Sequence, residues 1–478
     1  MGSVDETQHV PPSDLPGTLG ALRAAGHRYR TVKDELRENL LDRLRTGQPR
    51  FPGIVGYDNT VLPEVERALL AGHDMVLLGE RGQGKTRLIR SLTGLLDEWT
   101  PVIPDSPLHE HPMRPVLPAS RALVAETGDD LPIGWLHRSL RYGEKLATPD
   151  TSVGDLIGDI DPIRVAQGRT LGDPDTIHFG LVPRANRGIF AVNELPDLAE
   201  RIQVSLLNVL EERDIQVRGY QLRLPLDLVL VASANPEDYT NRGRIITPLK
   251  DRFGAEVRTH YPFDLDLELA LIRQEARLVA EIPEHVLEVL ARFARAVRES
   301  PNVDPRSGVS ARFAIAAAET VAAAALRRSG LLGGDDTDPP VARVGDTALA
   351  VNTLRGKVEF ESGEEGREAE LLDHLLRTAI ADTYRARLAG LDLSGFTALV
   401  ADGRAVTTGE LVGAGELLRQ VGPVPGLAKV LSRLGISDAP TPGEAAAGIE
   451  FVLESLHLLR RLGKESTDDG RNRYRIEG

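Results

Sequence analysis

Eight consecutive residues, Gly79-Glu80-Arg81-Gly82-Gln83-Gly84-Lys85-Thr86, have the composition of a loop that wraps a phosphate chain. They fit the spacing G-x-x-x-x-G-K-[ST], in which glycines let backbone N–H groups close on the anion where side chains would block the approach. Lys85 would neutralise phosphate charge and Thr86 would offer its hydroxyl to Mg²⁺. A helix beginning near Lys85 would present its positive N-terminal end. The plain alternative is a glycine-rich turn that happens to end in Lys-Thr. The setting argues against it, because the apolar Met75 to Leu78 before the loop reads as a buried strand and a helix follows.

A second group of polar residues closes the apolar run Gly188-Ile-Phe-Ala-Val-Asn193-Glu194, roughly 110 residues further on. A phosphate-loop enzyme places its metal-holding and water-activating groups at the end of such a strand, so Thr86, Asn193 and Glu194 are the candidate metal residues and Glu194 a candidate catalytic one. A third apolar run, Val229-Leu-Val-Ala-Ser-Ala-Asn235-Pro236, also ends in an amide, and Leu249-Lys-Asp-Arg252-Phe253 follows it.

The elements that must position these residues read as an α/β arrangement. From Phe51 to about Phe263, short apolar runs alternate with amphipathic stretches, the pattern of a parallel sheet covered by helices. Met75 to Leu78, Ile189 to Val192 and Leu228 to Ala232 are the clearest buried strands. A leading helix is predicted over Val32 to Arg45, with Leu36, Leu40, Leu41 and Leu44 at helical spacing. Leu198, Ile202, Leu206 and Leu210 mark a helix face best explained by core packing.

After Phe263 the strand signals stop. Val286, Leu287, Leu290, Phe293 and Ala294 mark an amphipathic helix, followed by the Ala-rich Phe313 to Leu326. Gly333 to Pro340 reads as a linker, Glu359 to Glu370 as an acidic stretch, Leu371 to Leu388 as a helix, and Gly413 to Leu462 as a last helical module. The implied division is an N-terminal helical segment (1–50), a nucleotide-binding α/β domain (51–263), a helical lid (264–332), an acidic linker (333–368) and a helical C-terminal module (369–478).

Composition narrows the function classes. A length of 478 residues suggests about three domains. The 4% aromatic content favours aliphatic, helix-rich packing. The most tempting candidate for a membrane span, Ala314 to Leu326, is short and interrupted by Glu319, which argues against one. Asp5, Glu6, Pro11 and Pro12 stand where a secretory signal needs basic and then apolar residues, and there are no cysteines. A cytoplasmic setting is therefore expected. The net charge of −14 argues against general nucleic-acid binding.

On these motifs the chain resembles the AAA+ superfamily, and within it the MoxR and magnesium-chelatase I-subunit branch, across about residues 51–330. The likeness rests on Phe51-Pro-Gly-Ile-Val-Gly56, on Leu181-Val-Pro-Arg-Ala-Asn-Arg-Gly-Ile-Phe190 leading into Asn193-Glu194, and on Ser233-Ala-Asn-Pro-Glu237. The resemblance implies a AAA+ P-loop NTPase fold, a parallel sheet with helices on both faces followed by an all-helical lid and a helical C-terminal module. It implies ATP and Mg²⁺ as cofactors. It casts Glu194 as the residue polarising the attacking water, Asn235 as the first γ-phosphate sensor and Arg252 as an arginine finger offered to a neighbouring subunit. Arg312, in Ser307-Gly-Val-Ser-Ala-Arg312, becomes the second sensor. The working form would be a ring, expected to be hexameric. A partner with a von Willebrand type A domain is implied on another chain, since no D-x-S-x-S motif occurs here. A hairpin over Ile215 to Leu224 is also expected.

One position departs from the branch, which normally carries Asp-Glu where this chain has Asn193-Glu194. The change removes a negative charge from the magnesium shell. Two other groups carry little chemistry: His109-Glu110-His111 lacks a third ligand, and Asp155, Asp159 and Asp161 read as loop caps. The leading function is an ATP-driven remodelling machine. The alternatives are a chelatase subunit inserting Mg²⁺ into a porphyrin, a slow nucleotide-gated scaffold, and a sigma-factor-remodelling activator, whose GAFTGA loop is absent.

Overall fold

A computed structural model describes residues 10–161, 163, 166, 176–212, 215–217, 220–222, 224–236, 244–304, 308–333, 339–361, 363–364, 366–401, 404–467 and 470–476. Four expected features fall partly outside them: the hairpin tip at Arg218-Gly219, Glu237, Ser307, and the centre of the Gly333 to Pro340 linker. The chain forms two compact units, one ending at His260 and one beginning at Tyr261, where composition suggests about three.

In the first unit, helix α1 (Val32–Thr46) starts on the Thr31 side chain, which caps the Asp34 N–H, and ends at Gly47 in a left-handed conformation. Leu36 and Leu40 are buried, while Leu44 is exposed. Helix α2 (Val61–Ala71) leads into strand β1 (Met75–Leu78), and helix α3 (Lys85–Ser91) begins directly after the glycine loop. Strands β2 (Tyr142–Leu146), β3 (Gly188–Asn193), β4 (Leu228–Ala234) and β5 (Ala255–Arg258) complete a five-stranded sheet in the order β5-β1-β4-β3-β2. Every pairing is parallel.

Side-chain alternation splits the core cleanly. Met75, Leu77, Ile189, Ala191, Val229 and Val231 face the layer formed by α1, α2 and α3. Val76, Leu78, Phe190, Val192, Leu230 and Ala232 face the opposite layer, where helix α4 (Glu200–Glu212) brings Ile202, Leu206 and Val209. With both faces covered, the central strands read as unbroken aliphatic runs. Gly188 is required by close approach, since a Cβ there would lie 2.0 Å from the Arg141 carbonyl oxygen. Arg141 makes a two-pronged ion pair to Glu35 at 2.7 Å, buried at both ends, which ties α1 to the edge of the sheet. The expected hairpin is present as the antiparallel pair Ile215–Val217 and Tyr220–Leu222.

The second unit differs from the five-part sequence reading. Helices Leu265–Glu275, Glu284–Glu299, Ala311–Leu332, Val344–Leu354, Glu368–Leu388 and Pro442–Leu458 share one hydrophobic core running from Leu269 to Tyr474. The stretch read as a linker contributes Val344–Leu354, whose Val344, Ala350 and Leu354 enter that core. The C-terminal part is also not wholly helical. Val406–Gly409, Arg471–Arg475 and Gly463–Ser466 form a three-stranded antiparallel sheet in that order. No helix of the described residues is long and apolar enough to cross a membrane.

Candidate functional site

The glycine loop runs from the end of β1 to the start of α3. Its first residue donates from Gly79 N to the Ala234 carbonyl at 3.1 Å, which fixes the loop to the neighbouring strand. Gly84 sits at φ +76°, a conformation that side-chain-bearing residues rarely adopt. The buried Tyr57 hydroxyl, with one proton to donate, lies within hydrogen-bond reach of the Gln83 and His260 carbonyls, the latter at 3.0 Å. Tyr57 directly follows Phe51 to Gly56. Glu80 is half-buried and Arg81 exposed. Beside Gly79, Glu80 and Gln83 opens a cavity of about 340 Å³, also lined by Pro236, Lys250, Arg258 and Thr259.

Three strand ends converge on the loop. Lys85 Nζ donates to the Gly79 and Glu80 carbonyls, the latter at 2.9 Å, and to Asn235 Oδ1 at 2.9 Å. Asn235 Nδ2 in turn donates to Glu194 Oε2 at 2.8 Å. Asn235, at the end of β4, therefore joins the loop cation to the carboxylate at the end of β3. Glu194 stands in the left-handed region at φ +56° and its N–H reaches Ser233 Oγ at 3.3 Å. The backbone turn at Glu194 is what aims its side chain back toward Asn235.

Thr86 Oγ1 and Asn193 Oδ1 lie 3.5 Å apart, and Ser233 Oγ donates to Asn193 Oδ1 at 3.1 Å. Neighbouring oxygens around an octahedral Mg²⁺ stand about 3 Å apart, so a small cation fits between Thr86 and Asn193 with hard oxygen donors only. Sequence reasoning named Asn193 but not its neighbour. Asn193 Nδ2 donates to Glu144 Oε1 at 2.6 Å, and Arg90 grips Glu144 at 2.8 and 3.0 Å. Burial works against the charge of Glu144, yet hydrogen bonds from Arg90, Tyr142 and Asn193 hold its carboxyl below the usual glutamate value. No local signal points to Glu144. Its strand, Tyr-Gly-Glu-Lys-Leu, lacks an aliphatic run, and it meets Asn193 only through strand pairing.

The two arginines assigned by resemblance are not part of this network. Arg252 ends helix α5 (Thr247–Arg252), is half-exposed, and pairs with Glu211 of α4. Arg312 is exposed in the first turn of Ala311–Leu332, in the second unit, on a helix capped by Ser310. Several side chains of the His109 to His111 and Asp155 to Asp161 groups make contacts of their own. Glu110 accepts from Leu117 N at 2.6 Å and from the hydroxyls of Ser106 and Ser120. His111 stacks on His27, and Asp155 closes a capping box with Ser152. Among the described residues no three His, Cys, Asp or Glu side chains cluster as a metal site.

Sheet order, loop and convergent strand ends together define a AAA+ P-loop nucleoside triphosphatase domain. Comparison with known proteins agrees. The profile of the Sigma-54 interaction domain family matches residues 170–252, a segment holding Asn193, Glu194, Asn235 and Arg252. Magnesium-chelatase subunit ChlI of Nostoc sp. is 29% identical over 47% of this chain and 58% of its own length. The magnesium-chelatase 38 kDa subunit of Cereibacter sphaeroides is 30% identical over 46% of this chain and 62% of its own. The chain thus spans less than two thirds of each of these relatives. A structure of the complex between subunits BchI and BchD of magnesium chelatase matches at a TM-score of 0.36 and 21% identity, covering 70% of this chain and 95% of that one. The chain thus has the AAA+ P-loop fold, and about half of it is similar in sequence to magnesium-chelatase ChlI subunits.

Proposed function

We propose that the protein binds and hydrolyses ATP with Mg²⁺ and couples hydrolysis, as a ring oligomer, to remodelling of a protein partner. The observation that carries this reading is Asn235, whose amide links the loop cation Lys85 to the carboxylate Glu194 at 2.9 and 2.8 Å. Phosphoryl transfer to water needs positive charge on the phosphates and an acceptor for a water proton, with little covalent chemistry. Lys85 and the loop amides would supply the first and Glu194 the second. Bound magnesium, held by Thr86 and Asn193, would neutralise charge on the β- and γ-phosphate oxygens. Asn235 would report the presence of the γ-phosphate by exchanging Lys85 or Glu194 for it.

Arg252 is exposed on the surface of the first unit, as a finger offered to a neighbouring subunit must be. Arg312 is proposed as the second sensor on its exposed helix start. The ring, expected to be six-membered, a partner with a von Willebrand type A domain, and a cytoplasmic setting rest on the branch resemblance. The test is ATP turnover against protein concentration, with Lys85→Ala and Arg252→Ala alongside. The reading expects turnover per subunit to rise with concentration, both variants to lose it, and their mixture to recover part of it. Wild-type protein that binds ATP and shows no turnover above Lys85→Ala at any concentration would instead support a slow nucleotide-gated scaffold.

A second reading is favoured by the sequence relatives, which are magnesium-chelatase subunits. In it the ATPase drives Mg²⁺ insertion into a porphyrin. Porphyrin metallation assayed with a chelatase's remaining subunits decides between the two. The Sigma-54 match lies in the part of the domain that carries the ATPase residues, and the chain has no GAFTGA segment.

A further inference from the structure

Asn193 closes strand β3, and the side chain on its far side, Glu144, is an acid. Glu144 lies on the edge strand β2, two residues before the partner of Asn193 in the β2–β3 register. A carboxylate only accepts hydrogen bonds, so at 2.6 Å the atom of Asn193 facing Glu144 must be its nitrogen. The amide oxygen is thereby turned the other way, toward Ser233 Oγ at 3.1 Å and Thr86 Oγ1 at 3.5 Å. Glu144 is itself locked by Arg90, 2.8 and 3.0 Å away, and by the Tyr142 hydroxyl at 3.0 Å. Arg90 stands one helical turn after Thr86 on α3, so the lock closes on the helix that carries the other donor.

We propose that Glu144 is a positioning residue that fixes the Asn193 amide with its oxygen toward Thr86, so that a neutral side chain serves the magnesium of a bound nucleotide. The proposal rests on the nucleotide reading above. The acid stands one strand over and acts through the amide. Asn193→Asp alone brings two carboxylates into contact, which repel unless one is protonated. Positions 144 and 193 are therefore coupled, and one charge between them is the workable number.

The test measures Mn²⁺ affinity of the full chain in the presence of ADP by electron paramagnetic resonance. Glu144→Gln and Asn193→Asp are made singly and together, and ADP affinity without metal and the melting temperature serve as checks on folding. Loss of an orienting outer partner typically costs 10- to 100-fold in metal affinity. The expectation is a loss of about 10-fold for Glu144→Gln in the wild-type background. In the Asn193→Asp background the same substitution should raise Mn²⁺ affinity by a similar factor, because a glutamine amide can donate to the new carboxylate. A residue that only supports the fold gives the same sign in both backgrounds. Should Glu144→Gln alone fail to fold, the comparison within the Asn193→Asp background still decides. Equal Mn²⁺ affinity with and without the Glu144 charge, in protein that binds ADP, would overturn the proposal alone. Failure of the wild type to bind ADP would overturn the nucleotide reading and this proposal with it.

Discussion

One amide joins the two charged ends of the site: Asn235 Oδ1 accepts from Lys85 Nζ at 2.9 Å while Asn235 Nδ2 donates to Glu194 Oε2 at 2.8 Å. Both contacts fix which way the amide points, since an ammonium only donates and a carboxylate only accepts. Asn235→Asp keeps the contact to Lys85 but sets a carboxylate against Glu194. The expected outcome is nucleotide affinity within a few-fold of wild type and turnover lowered about 100-fold, the low end of general-base contributions. Fluorescent-nucleotide titration and phosphate release measure the two. Unchanged turnover would remove Asn235 from the chemistry.

Glu194 holds its place at φ +56°, a region costing a residue with a side chain roughly 1 kcal/mol or more. Asparagine adopts that region more readily than glutamate. Glu194→Asn should therefore unfold at an equal or higher temperature than wild type, by up to about 1 kcal/mol, while turnover disappears. Glu194→Gln, which keeps the shape, should abolish turnover with little change in melting. A Glu194→Asn variant of clearly lower stability would show that this backbone is not strained.

The parts of the site that sequence displays are those built from local runs. Met75–Leu78, Gly188–Asn193 and Leu228–Ala234 lie within a residue or two of the predicted strands, because a strand covered on both faces must be aliphatic throughout. Tyr142–Leu146 and Ala255–Arg258 form the two edges of the sheet, are half polar, and carry no such run. Glu144 is lost with its strand. The same holds for Val406–Gly409, Gly463–Ser466 and Arg471–Arg475, which are short, mostly polar and carry no aliphatic run. The shared core of the second unit was hidden for a different reason: helix faces are legible one at a time, and which faces meet is set by contacts distant in sequence.

Arg252 is held in its own chain by Glu211, with the two side chains 47% and 37% exposed. Exposed pairs of this kind contribute about 0–1 kcal/mol, so a neighbouring nucleotide could draw Arg252 away at small cost. Glu211→Ala should leave melting within about 0.5 kcal/mol of wild type and should not lower turnover. Arg252→Ala should leave melting equally unchanged yet lose turnover by 10³-fold or more, the scale of an arginine finger. Stability by thermal denaturation and phosphate release at matched concentrations compare them. If both substitutions lower turnover alike, Arg252 acts through Glu211 and not across a subunit boundary.

The second unit should respond to acid through His285. Burial pushes this imidazole down to about 4, and the charge of Arg387 adds to the effect. The side chain sits against the Phe451 ring, centroids 5.1 Å apart. In the unfolded chain a histidine titrates near 6.5. Above that value neither state binds the proton and the stability is fully present. As pH falls from 6.5 toward 4 the unfolded chain takes up a proton that the folded one refuses, and stability is lost, on the order of 3 kcal/mol in all. Below about 4 the contribution is exhausted. His285→Leu, which suits the apolar surroundings, should flatten this part of the pH dependence without lowering stability at pH 5. Denaturant unfolding followed by far-ultraviolet circular dichroism between pH 4 and 7.5 provides the comparison, and an equal acid slope in both proteins would assign the loss to other groups.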